Sequence, residues 1–140
     1  MRISSRAIII NDKKILLMFR RKMKEGKLKE YFVIPGGGLE DGETLEENVV
    51  RELREEMNVD VKILGYLGFK QDENNKQHYF HCEIVNGEPH LGGEELERMT
   101  KENYYEPIYV DLKNIKHIDL IGAEFIKKAI TKDYINNVKN

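Results

Sequence analysis

Apolar positions along the chain change their spacing several times, and each change predicts an element. Arg6 to Ile10 ("RAIII") and Ile15 to Phe19 ("ILLMF") are short apolar runs separated by "NDKK", which predicts two strands joined by an Asn-Asp turn. Arg20 to Glu30, "RRKMKEGKLKE", is polar and interrupted by Gly26, and reads as a basic loop. Tyr31 to Ile34 ("YFVI") is aromatic and β-branched and stops at Pro35, so it predicts a strand running into the three glycines Gly36, Gly37 and Gly38. Val61 to Phe69 and Gln77 to Val85 predict two more strands around a polar turn. A long acidic loop comes next, then a last strand at Ile108 to Leu112. Phe125, Ile126, Ala129, Ile130 and Tyr134 recur at helical spacing, predicting a terminal helix from Ile121 to about Val138. Strands that precede, separate and follow two helices predict an α/β layered domain with a mixed sheet.

The other helix lies in "GGGLEDGETLEENVVRELREEM". Thr44 followed three residues later by Glu47 is a capping-box pattern, which starts a helix near Thr44. At about 100° per residue, Leu45, Val49, Val50, Leu53 and Met57 share one stripe that would lie on the sheet. Glu52 and Glu56 border that stripe about 40° apart, with Glu55 roughly 60° further round from Glu52. Carboxylates so spaced repel, costing a few tenths of a kcal/mol per pair in an isolated helix. Either Arg51 and Arg54 neutralise a solvated face, or the oxygens hold a hard cation such as Mg²⁺ or Mn²⁺.

Composition narrows the setting. At 140 residues with net charge −2, the chain is the size of one domain, and residues 1–140 are taken as such. Its Lys and Arg are not gathered into one block, which argues against a nucleic-acid partner and for a small-molecule one. Cys82 is the only cysteine, so no intrachain disulfide forms. Neither a leader nor an 18-residue apolar span is evident, which predicts a cytoplasmic protein without membrane contact. The terminal helix and Tyr104-Tyr105 could serve a homodimer, though nothing requires one.

The glycine cluster ends in neither a P-loop Gly-Lys-Ser/Thr nor a dinucleotide fingerprint. Joined to the acidic helix beside it, the pattern of Gly37, five residues, Glu43, seven residues and "RELREEM" (Arg51 to Met57), then Asn58 and Val59, resembles the Nudix box of the Nudix hydrolases. Six fixed identities at fixed spacing (Gly37, Glu43, Arg51, Glu52, Glu55, Glu56) arise by chance about once in ten million starts at average residue usage. Asn58 stands where the box has its second glycine. Asn is the usual substitute for glycine in a left-handed helix cap, so the turn should survive.

The resemblance implies a Nudix-like α/β/α sandwich that hydrolyses a pyrophosphate bond in a nucleoside diphosphate linked to another moiety, with Mg²⁺ or Mn²⁺. It implies Glu52, Glu55 and Glu56 as catalytic residues and metal ligands, with Glu52 or a late-loop glutamate as base. Glu43 and Arg51 would brace the loop, whose glycines Gly36 to Gly38 would bend close to metal and phosphates. Glu94, Glu95 or Glu97 would supply a further carboxylate, as late loops in the family often do. Arg20 and Arg21, at the end of the second strand, would grip phosphates as charge-assisted donors. Tyr31, Phe32, Tyr104 and Tyr105 are candidates to stack on a base, or core residues. The expected substrate is a canonical or oxidised nucleoside triphosphate, the alternatives being ADP-ribose, another nucleotide sugar or a dinucleoside polyphosphate. A nucleotide-binding module without turnover is the reading from another class, and it would be expected to lose one of the three box carboxylates.

Overall fold

Ala7, Ile8 and Ile9 are all buried although successive strand residues point to opposite faces, so β1 (Arg2–Asn11) must be covered on both sides. The computed structural model, which describes residues 1–92, 96–97, 99–100 and 102–136, shows how. β1 pairs in parallel with β6 (Asn75–Asn86), which pairs antiparallel with β5 (Asp60–Gln71). The end of β1 turns back as β2 (Lys14–Lys24), flanked by β3 (Lys27–Val33) and β7 (Asn103–Asp111), both antiparallel. A short β4 (Gly36–Gly38) adds to the start of β1.

Helix α1 (Leu45–Met57) covers one face, its Leu45, Val49, Leu53 and Met57 packing on Ala7, Ile9, Leu16 and Met18. Helix α2 (Glu124–Ile130) covers the other, where Phe125, Ile126 and Ala129 meet Ile8, Ile15 and Leu17. The chain thus forms the expected α/β/α sandwich around a mixed sheet. Among the described residues, no helix is long and apolar enough to cross a membrane.

Four expectations are corrected. The turn between β1 and β2 is Asp12-Lys13, both at positive φ as in a two-residue type I′ hairpin, one residue later than an Asn-Asp turn. Arg20 to Glu30 is no loop: β2 and β3 continue through it, and Gly26 is a central residue of the tight turn Glu25-Gly26, also with positive φ at both positions. Helix α2 is much shorter than the expected element, because Lys132 takes a left-handed φ of 55° just beyond its end. Further on, Ile135 bridges to Tyr66 of β5, and the expected end near Val138 lies outside the described residues. β7 also starts earlier than expected and runs through Pro107, tolerated because among the described residues β2 is the one strand paired with β7, which leaves Pro107 on an edge strand.

Candidate active site

Helix α1 begins as its sequence dictates. Thr44 Oγ1 accepts from the Glu47 amide at 3.0 Å, and Glu47 Oε1 accepts from the Thr44 amide at 2.9 Å. It ends at Asn58 in the left-handed region (φ 58°, ψ 35°), whose Nδ2 donates to the His90 carbonyl at 2.9 Å. Asn58 therefore makes the turn the box glycine would make.

Between strand β3 and this helix, the glycine loop is fixed from both sides. Gly36 has φ 151°, and a Cβ there would overlap the carbonyl oxygen of Ser5. At Gly37 a Cβ would overlap the Glu52 carboxyl group, so the loop backbone lies directly against that carboxylate. Arg51 ties loop to helix: its Nε and Nη2 donate to Glu43 at 2.6 and 3.1 Å, and Nη2 also reaches the Gly38 carbonyl at 3.0 Å. Its Nη1 donates to Glu52 Oε1 at 3.1 Å and Glu55 Oε2 at 2.9 Å. The Glu43 carboxyl is held below its usual range, first by these hydrogen bonds, while the Arg51 pKa is raised by the same pairing.

Glu56, one turn beyond Glu52, faces a cavity of about 360 Å³ lined by Arg2, Arg6, Arg20, Gly36 and Tyr105 among others. Burial pushes its pKa up to about 7 against the opposing pull of Arg6 and Arg20, and burial also raises Glu52. Both carboxylates are thus desolvated, and among the described residues Glu56 has no salt-bridge partner. Hard oxygen donors in that state suit a divalent cation. The three box carboxylates do not converge into a finished cage, however. Glu55 is turned outward onto Arg51, and among the described residues no group of three acidic, His or Cys side chains is poised around one point.

Of the two arginines expected to hold phosphate, only Arg20 enters this cavity. Its guanidinium lies 4.5 Å from the Tyr105 ring centroid, and its buried Nε has no hydrogen-bond partner among the described residues. Arg21 points to the opposite face of β2 and pairs with Glu30 at 3.0 Å. Of the candidate late carboxylates, Glu97 is exposed, and Glu94 and Glu95 lie outside the described residues.

Arg6 and Asn48 are residues that the motif did not single out. Arg6 reaches from β1 to the Ile34 carbonyl at 2.8 Å, the Gly36 carbonyl at 3.5 Å and Gln77 Oε1 at 2.9 Å, and its pKa is lowered by burial. Asn48, fully buried, donates to the Gly38 carbonyl at 3.0 Å. Their signal was an arginine heading an apolar run and a polar residue inside the helix's apolar stripe. A second cavity of about 350 Å³ adjoins the first along Arg2, Arg6 and Val33 and is lined by Tyr31, Phe32, Asn75, Gln77 and Asp119. Tyr31 thus faces space on the side of Arg20, whereas Phe32 borders the second cavity but packs on the core and, like Tyr104, on Phe19.

The NUDIX domain model matches residues 1–122. An ADP-ribose pyrophosphatase of Methanocaldococcus jannaschii is 33% identical over 134 residues, spanning 91% of this chain and 69% of that protein. Among solved structures, a UDP-X diphosphatase superposes with a TM-score of 0.67 at 18% identity, over 94% of this chain and 64% of that one. An ADP-ribose pyrophosphatase from Streptococcus suis superposes with a TM-score of 0.64 at 19% identity, over 99% and 96% of the two chains. With the box geometry and the family match together over most of its length, the chain belongs to the Nudix family of pyrophosphohydrolases.

Proposed function

We propose that this protein hydrolyses the pyrophosphate bond of a nucleoside diphosphate linked to a second moiety, with ADP-ribose as the substrate its architecture and its relative favour most. The observation that carries this reading is the pair of cavities meeting at Arg2, Arg6 and Val33, with Glu56 at the floor of one and Tyr31 and Phe32 in the wall of the other. A two-ended substrate fills both, its pyrophosphate crossing the arginines where they meet. The 33% identical ADP-ribose pyrophosphatase supports that choice over the triphosphates expected from sequence, which have one organic end.

Arg20 and Arg6 would bind the pyrophosphate oxygens, Arg20 through the donor it has to spare. The loop from Gly36 to Gly38 would bring backbone close to the phosphates, held against the Glu52 carboxylate at Gly37, where a Cβ has no room. Nudix enzymes generally use a divalent cation, and here Glu52 and Glu56 would hold it, joined by Glu55 once released from Arg51. When bound, Mg²⁺ or Mn²⁺ would neutralise phosphate charge and favour attack by water. Burial raises the Glu52 carboxyl above its usual range, which suits a proton acceptor. Glu52, which lies directly under the loop at Gly37, would take the proton of the attacking water. Arg51 and Glu43 would keep the loop and helix in register while this happens.

The test is a panel of ADP-ribose, UDP-sugars, nucleoside triphosphates and 8-oxo-dGTP with Mg²⁺ and Mn²⁺, ranked by kcat/KM. ADP-ribose should lead. Turnover of none of these by folded protein would refute the reading.

A further inference from the structure

Strand pairing in the β2–β3 hairpin segregates charge between its two faces. Arg21 and Glu30 are directly opposed and neutralise each other on one face. On the other, Lys22 stands opposite Lys29 and Lys24 opposite Lys27. Like charges directly opposed across a ladder destabilise it. Among the described residues none of these four lysines has a salt-bridge partner within 4.0 Å. Nothing in the packing requires them, since all four are exposed.

Their position is informative. Side chains alternate along a strand, so Lys22 and Lys24 continue the face on which Met18 and Arg20 line the catalytic cavity. Successive members of that row are about 6.6 Å apart, so the lysines extend the positive surface at Arg20 by roughly 13 Å. A groove of about 290 Å³ runs among Lys22, Lys24, Lys29 and Tyr31. Tyr31 also lines the second cavity, so the groove and the cleft share that side chain as a wall.

We propose that this lysine face is a binding site for phosphate groups carried beyond the scissile pyrophosphate, so that the protein takes substrates whose second moiety bears further phosphoryl anions. The proposal rests on the pyrophosphatase reading, and it adds a site outside the box. A chain of phosphates supplies the closely spaced negative charge that two opposed lysine pairs lack. Flexible ammonium groups read such charge as points, without the fixed fork of arginine.

The experiment compares wild type with the variant Lys22→Gln/Lys24→Gln/Lys27→Gln/Lys29→Gln at about 0.15 M salt, where screening confines charge effects to roughly 8 Å. Inorganic tripolyphosphate is titrated calorimetrically, and kcat/KM is measured for ADP-ribose and for diadenosine tetraphosphate. Tripolyphosphate affinity and diadenosine tetraphosphate kcat/KM should each fall at least about tenfold, with ADP-ribose kcat/KM unchanged within about twofold. Lys22→Arg/Lys29→Arg should retain both, and circular dichroism should show the variants folded. An equal fall for both nucleotides, or none, overturns the proposal. So does tighter binding of a single-stranded oligonucleotide than of tripolyphosphate at equal phosphate concentration, which would make the face a nucleic-acid surface. If no nucleotide is turned over, the pyrophosphatase reading fails on its own, and the calorimetric arm still decides the lysine site.

Discussion

Arg51 grips Glu43 through two nitrogens, Nε at 2.6 Å and Nη2 at 3.1 Å, and the same guanidinium caps the Gly38 carbonyl. One side chain on α1 thereby holds both ends of the glycine loop. Lysine cannot reproduce a planar fork. Arg51→Lys should cost about 1 kcal/mol of stability, the low end for orphaning acceptors because these are only partly buried, and lower kcat by loosening the loop over Glu52. Thermal unfolding and steady-state kinetics on the same preparation check both; an unchanged melting temperature would show that the brace adds nothing to stability.

Adjacent glycines should fail differently. Gly36→Ala sets a Cβ against the Ser5 backbone at φ 151°, so neither partner can yield, and a loss of more than about 2 kcal/mol is expected. Gly37→Ala meets only the end of the Glu52 side chain, which can swing away. That variant should stay folded and lose activity by about 10²-fold or more, the scale of a displaced catalytic group. Denaturant unfolding beside kcat separates the two; equal stability losses would contradict the geometry.

Asn58 offers a third contrast. Asn58→Ala forces an ordinary side chain into the left-handed region and removes the bond to His90, costing about 1 kcal/mol. Asn58→Gly relieves the backbone while losing the same bond, so it should fall within about 0.5 kcal/mol of wild type. Neither change should alter kcat, because the carboxylates lie upstream of the cap. Chemical denaturation gives the order, and a glycine variant less stable than alanine would overturn it.

These contrasts also mark what periodicity can reveal. The stripe from Leu45 to Met57 and the cap at Thr44 are local patterns, and the helix obeys them residue by residue. Arg20 and Arg21 can act together on one phosphate only if their segment is a loop. In a strand, the period of two sends them to opposite faces, and only Arg20 reaches the cleft. What extends the strands is pairing on both sides of β2, a tertiary effect that outweighs a polar sequence and Gly26. Arg6 is illegible for a related reason: its acceptors are carbonyls of Ile34 and Gly36, some thirty residues away, and no spacing rule links them. At the other end, Tyr134 fits the helical period of α2 but spends its ring against Gly65 and its hydroxyl on His81, so the chain leaves the helix to make those contacts.

Two buried groups make opposed contributions to the pH dependence of stability, and one variant separates them. His78 is fully buried, 2.8 Å from the Tyr66 hydroxyl, and desolvation lowers its pKa from 6.5 to about 4. Between those values the unfolded chain binds a proton that the folded one does not, so this group removes stability as pH falls from about 6.5 to 4. Glu56 acts the other way in chelator-treated protein: its folded pKa near 7 lies above the unfolded 4.5, so acidification across that span adds stability. In His78→Leu the histidine contribution is gone while Glu56 remains. The variant loses the Tyr66 contact and should be less stable than wild type at pH 8, with the gap narrowing steadily as pH is lowered to 4. Urea unfolding of both proteins at several pH values, with EDTA present, checks this; a gap that stays constant or widens towards acid would mean that His78 titrates normally in the folded protein.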